Sequence, residues 1–361
     1  MNGEIPIVTF DTSALNRLAK GGPLSEAVLA GMKAGFLFRF AGLSIEELVA
    51  CKDLSTRTAL FAYCRRLQEG PSDCLCPHHE LVRILITDHV AKSAAFDWKT
   101  VDVRAVEYEE QIREGFLGDD RLSNDQRKEQ SERKKKYKKV FTDPRPRFEK
   151  VFADYGVALP TSFREAIAGK SLTTWKMGKW LYDPVAKSDV NEASIKEFIA
   201  ACPPFRALIH ALLMSYYNHS LRDRQIGEKL SAGRNDMLMS VCLPYCHKFV
   251  TNDGEQEKCL REVSAVADLG TEVVSYDAFC RSFLTEVAEI REMLDGRYDE
   301  IKSGRVKPIN GEAFFDSLRQ RENELHDVWR EAMEENAPGV PVSEVLDRLE
   351  RKYRDLANRV K

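Results

Sequence analysis

The sequence has 361 residues, of which 43% are hydrophobic and 31% are charged. This composition excludes a wholly disordered chain, and the length favours a core domain with additional modules. The formal net charge of −3 excludes attraction of a polyanion by the whole molecule, so affinity for nucleic acid would need a local basic patch. The sequence shows neither a secretion signal nor an apolar stretch of bilayer length. We therefore expect a cytoplasmic protein that does not enter a membrane.

The first two predicted strand–helix units each carry an acidic residue just beyond the strand. Residues 5–10 are apolar and predict a strand, which Asp11 follows directly. Residues 36–43 predict a second strand, and Ser44 is expected to cap a long helix. Glu47 would then lie in the first turn of that helix.

The same alternation continues, is interrupted and then resumes. Residues 74–76 predict a third strand followed by a helix, and such alternation is typical of a parallel sheet. Between residues 95 and 230 the chain is polar, charged and mostly helical, after which a helix, a strand ending near Asp253, a helix and a last strand follow. We expect one α/β domain formed by residues 1–95 and 230–284, a helical insertion at 96–229 and a C-terminal helical region at 285–361.

The cysteines give no strong signal. Nine of them are spread along the chain without a C-x-x-C pair, so the sequence predicts neither a disulfide framework nor a zinc ribbon. Cys74, Cys76, His78 and His79 offer zinc-binding atoms, but their spacing differs from the usual two-knuckle pattern. We assign no metal to this group.

Four acidic residues lie where their carboxylates can meet. Asp11, Glu47, Asp236 and Asp253 follow predicted strands or begin predicted helices, and such positions converge at one edge of a parallel sheet. Mg²⁺ and Mn²⁺ prefer oxygen ligands, so this placement predicts a site for a divalent cation. Each acid alone also has an ordinary explanation: the aspartates suit helix caps or turns, and Ser44 with Glu47 forms an S-x-x-E capping box. The order of all four favours the metal site.

Three motifs give this combination a family resemblance. FDTSAL contains Asp11, SIEEL contains Glu47, and NDMLMSVCLPYCHKFVTND contains Asp236 and Asp253; in this order they resemble the PIN-domain nucleases. The resemblance covers about half of the chain and implies a PIN-like three-layer α/β fold with a parallel central sheet, here with a large helical insertion and a C-terminal helical extension. The insertion departs from the family's compact layout, and Glu46 is an alternative to Glu47.

The resemblance implies a metal-dependent endoribonuclease that hydrolyses RNA phosphodiesters with Mg²⁺ or Mn²⁺ held by the four acids. It gives supporting roles to Thr251 in the last motif and to Ser13 and Asn235, which would contact phosphate oxygens. Relatives of this type serve as toxins, RNA-processing enzymes or defence enzymes, so the helical regions would bind an inhibitor protein or a second copy of the chain. Two alternatives stay open: a nuclease of single-stranded or flap DNA, and an inactive binding or scaffolding protein.

A basic segment could supply the cations that RNA requires beside an acidic site. Residues 121–150 contain 12 Lys and Arg against 5 Asp and Glu, a local balance of +7. The alternative explanation is a solvated helix face. The residues predicted to contact nucleic acid are Lys134, Lys135, Lys136, Arg222, Arg224 and Arg234.

Overall fold

The structure is a computed structural model. It describes residues 6–22, 25–26, 28–30, 36–70, 72–114, 160–168, 172–222 and 232–283, together with short pieces between residues 124 and 150. Contacts divide the chain into two units, residues 1–287 and residues 288–361. The predicted C-terminal helical region lies outside the described residues.

Five parallel strands form one sheet, which confirms the predicted α/β class and the parallel arrangement. The strands lie in the order β3-β2-β1-β4-β5, so the first strand is at the centre. Parallel pairing aligns Val8 with Phe38 on one side of β1 and Phe10 with Val250 on the other. The strands are β1 (Ile7–Phe10), β2 (Leu37–Ala41), β3 (Ser72–Leu75), β4 (Lys248–Thr251) and β5 (Glu272–Ser275).

Helices connect the strands and extend the fold. Those that flank the strands are α1 (Thr12–Ala19), α2 (Gly42–Val49), α3 (Leu54–Gln68) and α4 (His78–Lys92). The middle of the chain contributes α5 (Val106–Glu114), α6 (Phe163–Ala168), α7 (Thr174–Ala186), α8 (Glu192–Ala201) and α9 (Pro203–Tyr216). The last ones described are α10 (Arg234–Leu238), which continues into a 3-10 helix (Met239–Tyr245), and α11 (Gly254–Ala267).

The centre of the sheet is buried on both faces. Consecutive residues of β1, Val8, Thr9 and Phe10, are each 0% exposed, although neighbouring side chains of a strand point to opposite faces. Phe10 packs against Phe38 of β2 with ring centroids 5.4 Å apart, and against Phe279 with centroids 5.2 Å apart. Because both faces are covered, binding groups can only be reached at the edges of this sheet.

The described part of the predicted insertion is helical and belongs to the same hydrophobic core. The apolar helix α9 packs against α11 and against the 3-10 helix that follows α10, and Phe205 and Ile209 on it are 0% exposed. Among the described helices, none alone has the length and hydropathy needed to cross a membrane. One bent pair, Glu192–Ala201 with Pro203–Leu221, meets these criteria only when its halves are taken together.

The predicted capping box after β2 is wrong. The helix α2 begins at Gly42, two residues before Ser44, and no side chain caps it. A Cβ atom on Gly42 would lie 2.7 Å from the carbonyl oxygen of Leu75 and from the nitrogen of Pro77, so the chain turns into its helix directly against the end of β3. Ser44 is buried inside the helix, and within the described residues its hydroxyl has no hydrogen-bond partner. The predicted long helix is also divided, into α2 and α3.

Candidate acidic site at the carboxyl edge of the sheet

The four predicted acids all lie on segments at the carboxyl edge of the sheet. Asp11 directly follows β1, Glu47 lies on the helix that follows β2, and Asp253 begins the helix that follows β4. Asp236 lies in α10, which precedes β4 in sequence. We call these four residues the carboxylate cluster.

Asp11 follows β1 and forms hydrogen bonds with residues of β4 and of the first turn of α1. Its backbone N–H donates to the carbonyl of Val250 at 2.9 Å, which joins the end of β1 to β4. The residue is 3% exposed, and its carboxylate accepts hydrogen bonds from the N–H of Ala14 at 2.8 Å, from the hydroxyl of Thr251 at 2.9 Å and from the hydroxyl of Ser13 at 2.8 and 3.0 Å. Asp11 therefore caps α1 and is fixed within the cluster by the same bonds.

Thr251 and Gln256 connect three members of the cluster. The Thr251 hydroxyl oxygen lies 2.9 Å from Oδ2 of Asp11 and 2.6 Å from Oε1 of Gln256, and it accepts from the N–H of Asp253 at 3.0 Å. Since one hydroxyl hydrogen faces two acceptors, a proton on Asp11 would complete this network. Nε2 of Gln256 donates to the carbonyl of Asp236 at 3.1 Å.

Gln256 was missed by sequence reasoning. It is 0% exposed and lies three residues after Asp253, the spacing at which a glutamine often completes a helix cap. That spacing was a usable signal, but here the Asp253 N–H bonds to Thr251 instead. The glutamine side chain is left to bridge the strand and α10.

Glu47 lies between α1 and α10. Its Oε2 accepts from the Thr12 hydroxyl at 2.5 Å, and its Oε1 accepts from the side-chain amide of Asn235 at 2.7 Å. The neighbouring Glu46 has a different environment, where the hydroxyl of Tyr108 donates to it at 3.4 Å. Of the two glutamates, Glu47 is thus the one hydrogen-bonded to residues adjacent to Asp11 and Asp236.

Asp236 and Asp253 each use one carboxylate oxygen for a backbone cap. Oδ2 of Asp236 accepts from the N–H of Gly233 at 2.7 Å. Oδ1 of Asp253 accepts from the N–H groups of Glu255 and Gln256 at 2.8 and 3.0 Å. Among the described residues, nothing bonds to Oδ1 of Asp236 or Oδ2 of Asp253, so each acid retains one oxygen for a ligand.

The electrostatics of the cluster reflect burial and mutual repulsion. Burial raises the pKa of Asp11 to about 6, although its hydrogen bonds from Ala14, Ser13 and Thr251 oppose the rise. Burial also raises the pKa of Asp236 to about 6, and the negative charges of the other three acids of the cluster raise it further. Asp236 therefore lies close enough to the other three acids to feel their charges.

The chemistry of these groups fits a hard divalent cation. All four acids offer oxygen, which Mg²⁺ and Mn²⁺ prefer, and a cation would offset the repulsion felt by Asp236. In the part of the chain that the structure describes, no three His, Cys, Asp or Glu side chains are grouped closely enough to hold a metal ion, so a cation bound at the cluster would draw its carboxylates together.

The predicted supporting and basic residues have varied surroundings. Ser13, Thr251 and Asn235 bond to acids of the cluster. Arg222 lies 4.9 Å over the ring of Tyr217 and 3.9 Å from the carboxylate of Glu262. Arg234 donates to Asn235 at 3.0 Å, which places it beside the cluster. Of the predicted basic residues, Lys135 and Lys136 are exposed. Two others fall outside the described residues, and these are Lys134 and Arg224.

These features define an α/β protein with a carboxylate cluster at the carboxyl edge of a parallel sheet. Comparisons with protein-family models, with curated proteins and with solved structures find no match to this chain. The function is accordingly inferred from the motifs and from the geometry of the site.

Proposed function

We propose that this chain is a metal-dependent endoribonuclease of the PIN type, with a PIN-like three-layer fold, that hydrolyses RNA phosphodiesters at the carboxylate cluster. The observation that carries the proposal is the hydrogen-bond network that links Asp11, Asp253 and Asp236 through Thr251 and Gln256, and Glu47 to Asn235 beside Asp236. These acids come from four separate segments, yet they act on one another at the sheet edge where ligands of parallel sheets bind. Helix capping alone would not require them to be near one another.

The cluster would hold one or two Mg²⁺ or Mn²⁺ ions, which supply an activated water and stabilise negative charge on the phosphate. The protein's own groups set the geometry. Thr251 and Ser13 fix the carboxylate of Asp11, while Thr12 and Asn235 fix that of Glu47. These bonds hold the carboxylates of Asp11 and Glu47 in position before a ligand arrives.

Asp236 is the residue best suited to orient the attacking water. Its Oδ2 is committed to the N–H of Gly233, and Oδ1 is available to accept a hydrogen bond from the water. Burial and the neighbouring acids raise the pKa of Asp236 to about 6 in the metal-free protein; a bound cation would lower it, so Asp236 would orient the water as an anionic hydrogen-bond acceptor.

The test is cleavage by the purified full-length protein. Labelled single-stranded RNA and DNA of matching sequence are incubated with Mn²⁺, Mg²⁺ or EDTA. We expect metal-dependent cutting of RNA, and a loss of about 100-fold or more in rate for Asp11→Asn and Asp236→Asn. Asp268→Asn is the matched control, since Asp268 is exposed at the far end of the 14-residue helix α11, about 20 Å from Asp253.

Each alternative has its own outcome. Cutting of DNA but not RNA, with the same loss in the aspartate variants, would replace the proposal with a DNA nuclease. If neither substrate is cut, and Asp11→Asn behaves as wild type when expressed in cells, the nuclease function is overturned in favour of a binding or scaffolding protein.

A further inference from the structure

A second polar region lies at the same edge of the sheet, beside the carboxylate cluster. The helix α4 begins at His78, three residues after β3 ends at Leu75. Since β3 pairs with β2, the end of β3 is one strand spacing, about 4.8 Å, from the end of β2. The helix that carries Glu47 starts at that neighbouring end.

The beginning of α4 has the properties of an anion site. Pro77 precedes the helix and no side chain caps it. The Pro77 carbonyl accepts from the N–H groups of Glu80 and Leu81, whereas the N–H groups of His78 and His79 belong to the first turn, where a helix offers no acceptor. The dipole of this 15-residue helix further favours a negative charge at that end.

His78 provides an independent indication of a ligand. The residue is partly buried, and its Nδ1 atom is fully buried without a hydrogen-bond partner in the described part of the chain; such an atom is unfavourable unless a water or a ligand satisfies it. The ring of His79 lies edge-on to it, with centroids 5.3 Å apart. Burial lowers the pKa of His78 to about 3, so the ring is neutral and offers one N–H donor.

Two guanidinium groups complete the region. Arg234 donates to Asn235, whose amide holds one carboxylate of the cluster. The charges of Arg234 and Arg133 also act on both histidine rings. Guanidinium groups bind phosphate through paired hydrogen bonds. Arg133 already pairs with the carboxylate of Glu129, and such surface pairs are weak enough for a phosphate to replace.

We propose that the first turn of α4, with His78, His79, Arg133 and Arg234, is a subsite that binds a backbone phosphate of the RNA next to the one being cleaved. This inference rests on the proposed nuclease function, because it gives that site its substrate contact. It also answers an electrostatic need: four carboxylates repel a polyanion, and a cationic group adjacent to them holds the strand in place.

Binding is measured separately from cleavage. The full-length Asp11→Asn protein, in EDTA, is titrated against a fluorescently labelled single-stranded RNA at several salt concentrations. Arg234→Gln and His79→Ala are added singly to this background; His79 is exposed, so its removal should not disturb folding. Arg66→Gln is the matched control, because Arg66 is a partly exposed arginine that pairs with Glu26 in the last turn of α3, where the chain approaches the opposite edge of the sheet.

We expect Arg234→Gln to raise the Kd several-fold and to lower the slope of log Kd against log salt by about 0.7, the value for one phosphate contact on a single strand. His79→Ala should raise the Kd with a smaller change in slope, since a neutral ring contributes no charge. Arg234→Lys should keep most of the slope, which separates loss of charge from disturbance of Asn235.

The outcomes distinguish the subsite from the nuclease function. If Arg234→Gln and His79→Ala bind RNA as the Arg66→Gln control does, the subsite is overturned, even where the wild-type protein cleaves RNA. If both variants weaken binding but the wild-type protein cuts nothing, the subsite stands as an RNA-binding feature and the nuclease function fails.

Discussion

The buried, ionised carboxylate of Asp11 should lower the free energy of unfolding of the metal-free protein at neutral pH. Its carboxyl group is buried, and burial raises its pKa from 3.8 to about 6. Because the folded-state pKa is the higher one, the folded protein binds this proton more tightly than the unfolded chain does. The associated stability is fully present below about pH 3.8 and is lost as the pH rises through about 6.

The size of the effect follows from the shift. A change from 3.8 to about 6 corresponds to about 3 kcal/mol at 1.36 kcal/mol per pKa unit. Asparagine removes the buried charge and fits the surrounding bonds: its oxygen can accept from Ala14, and its N–H can donate to the hydroxyl of Thr251, which then donates to Gln256. We therefore expect Asp11→Asn to raise the free energy of unfolding by up to about 3 kcal/mol near pH 7.5 in EDTA, and by little near pH 4.

Urea unfolding followed by circular dichroism, at both pH values, measures this difference. Asp268→Asn is again the control, since an exposed residue with a left-handed backbone accepts asparagine readily. Most substitutions of buried residues destabilise, so a gain is a discriminating result. A loss of stability near pH 7.5, or a gain that is equal at both pH values, would refute the reasoning.

Three further predictions concern the same site. Mn²⁺ should raise the melting temperature near pH 7.5 but not near pH 5. Protons compete with the metal for Asp11 and Asp236, because the pKa values of these residues are about 6. A rise in melting temperature of equal size at both pH values would contradict this. Glu47→Gln should abolish cleavage, whereas Glu46→Gln should retain it. Glu46→Gln should also tighten RNA binding, since Glu46 lies near the arginines of the phosphate subsite. If instead Glu46→Gln abolishes cleavage and Glu47→Gln retains it, Glu46 is the metal ligand. Gln256→Leu should lower kcat/KM by about 10- to 100-fold and shift the pH profile of kcat/KM, while the circular dichroism spectrum stays unchanged. If the pH profile is unaltered, Gln256 contributes only to packing.

Much of the fold could be predicted from local patterns. Short apolar runs alternating with helical segments indicate parallel strands, and the strand endings near Asp11 and Asp253 follow directly from those runs. The rule that carboxyl ends of parallel strands share an edge then places these two acids together. No knowledge of side-chain contacts is needed for that step.

Long-range contacts determine the features that local sequence patterns predict wrongly. Ser44 and Glu47 have the spacing of a capping box, but the close approach of Gly42 to the end of β3 starts the helix earlier and buries Ser44. The Glu47 side chain then bonds to Thr12 and Asn235, the latter 188 positions away in the chain. A motif four residues long cannot contain this information.

Capping and ligand binding, which look like competing explanations for each aspartate, are combined in the structure. Asp236 and Asp253 bond backbone amides through one oxygen and leave the other without a partner in the described residues. The caps fix each carboxylate in position without neutralising it, because a backbone N–H carries no net charge. Burial and, after it, repulsion by the other three acids raise the pKa of Asp236, and a proton or a cation offsets both effects. A cluster held in this way should therefore respond to both, with protonation and metal binding excluding each other.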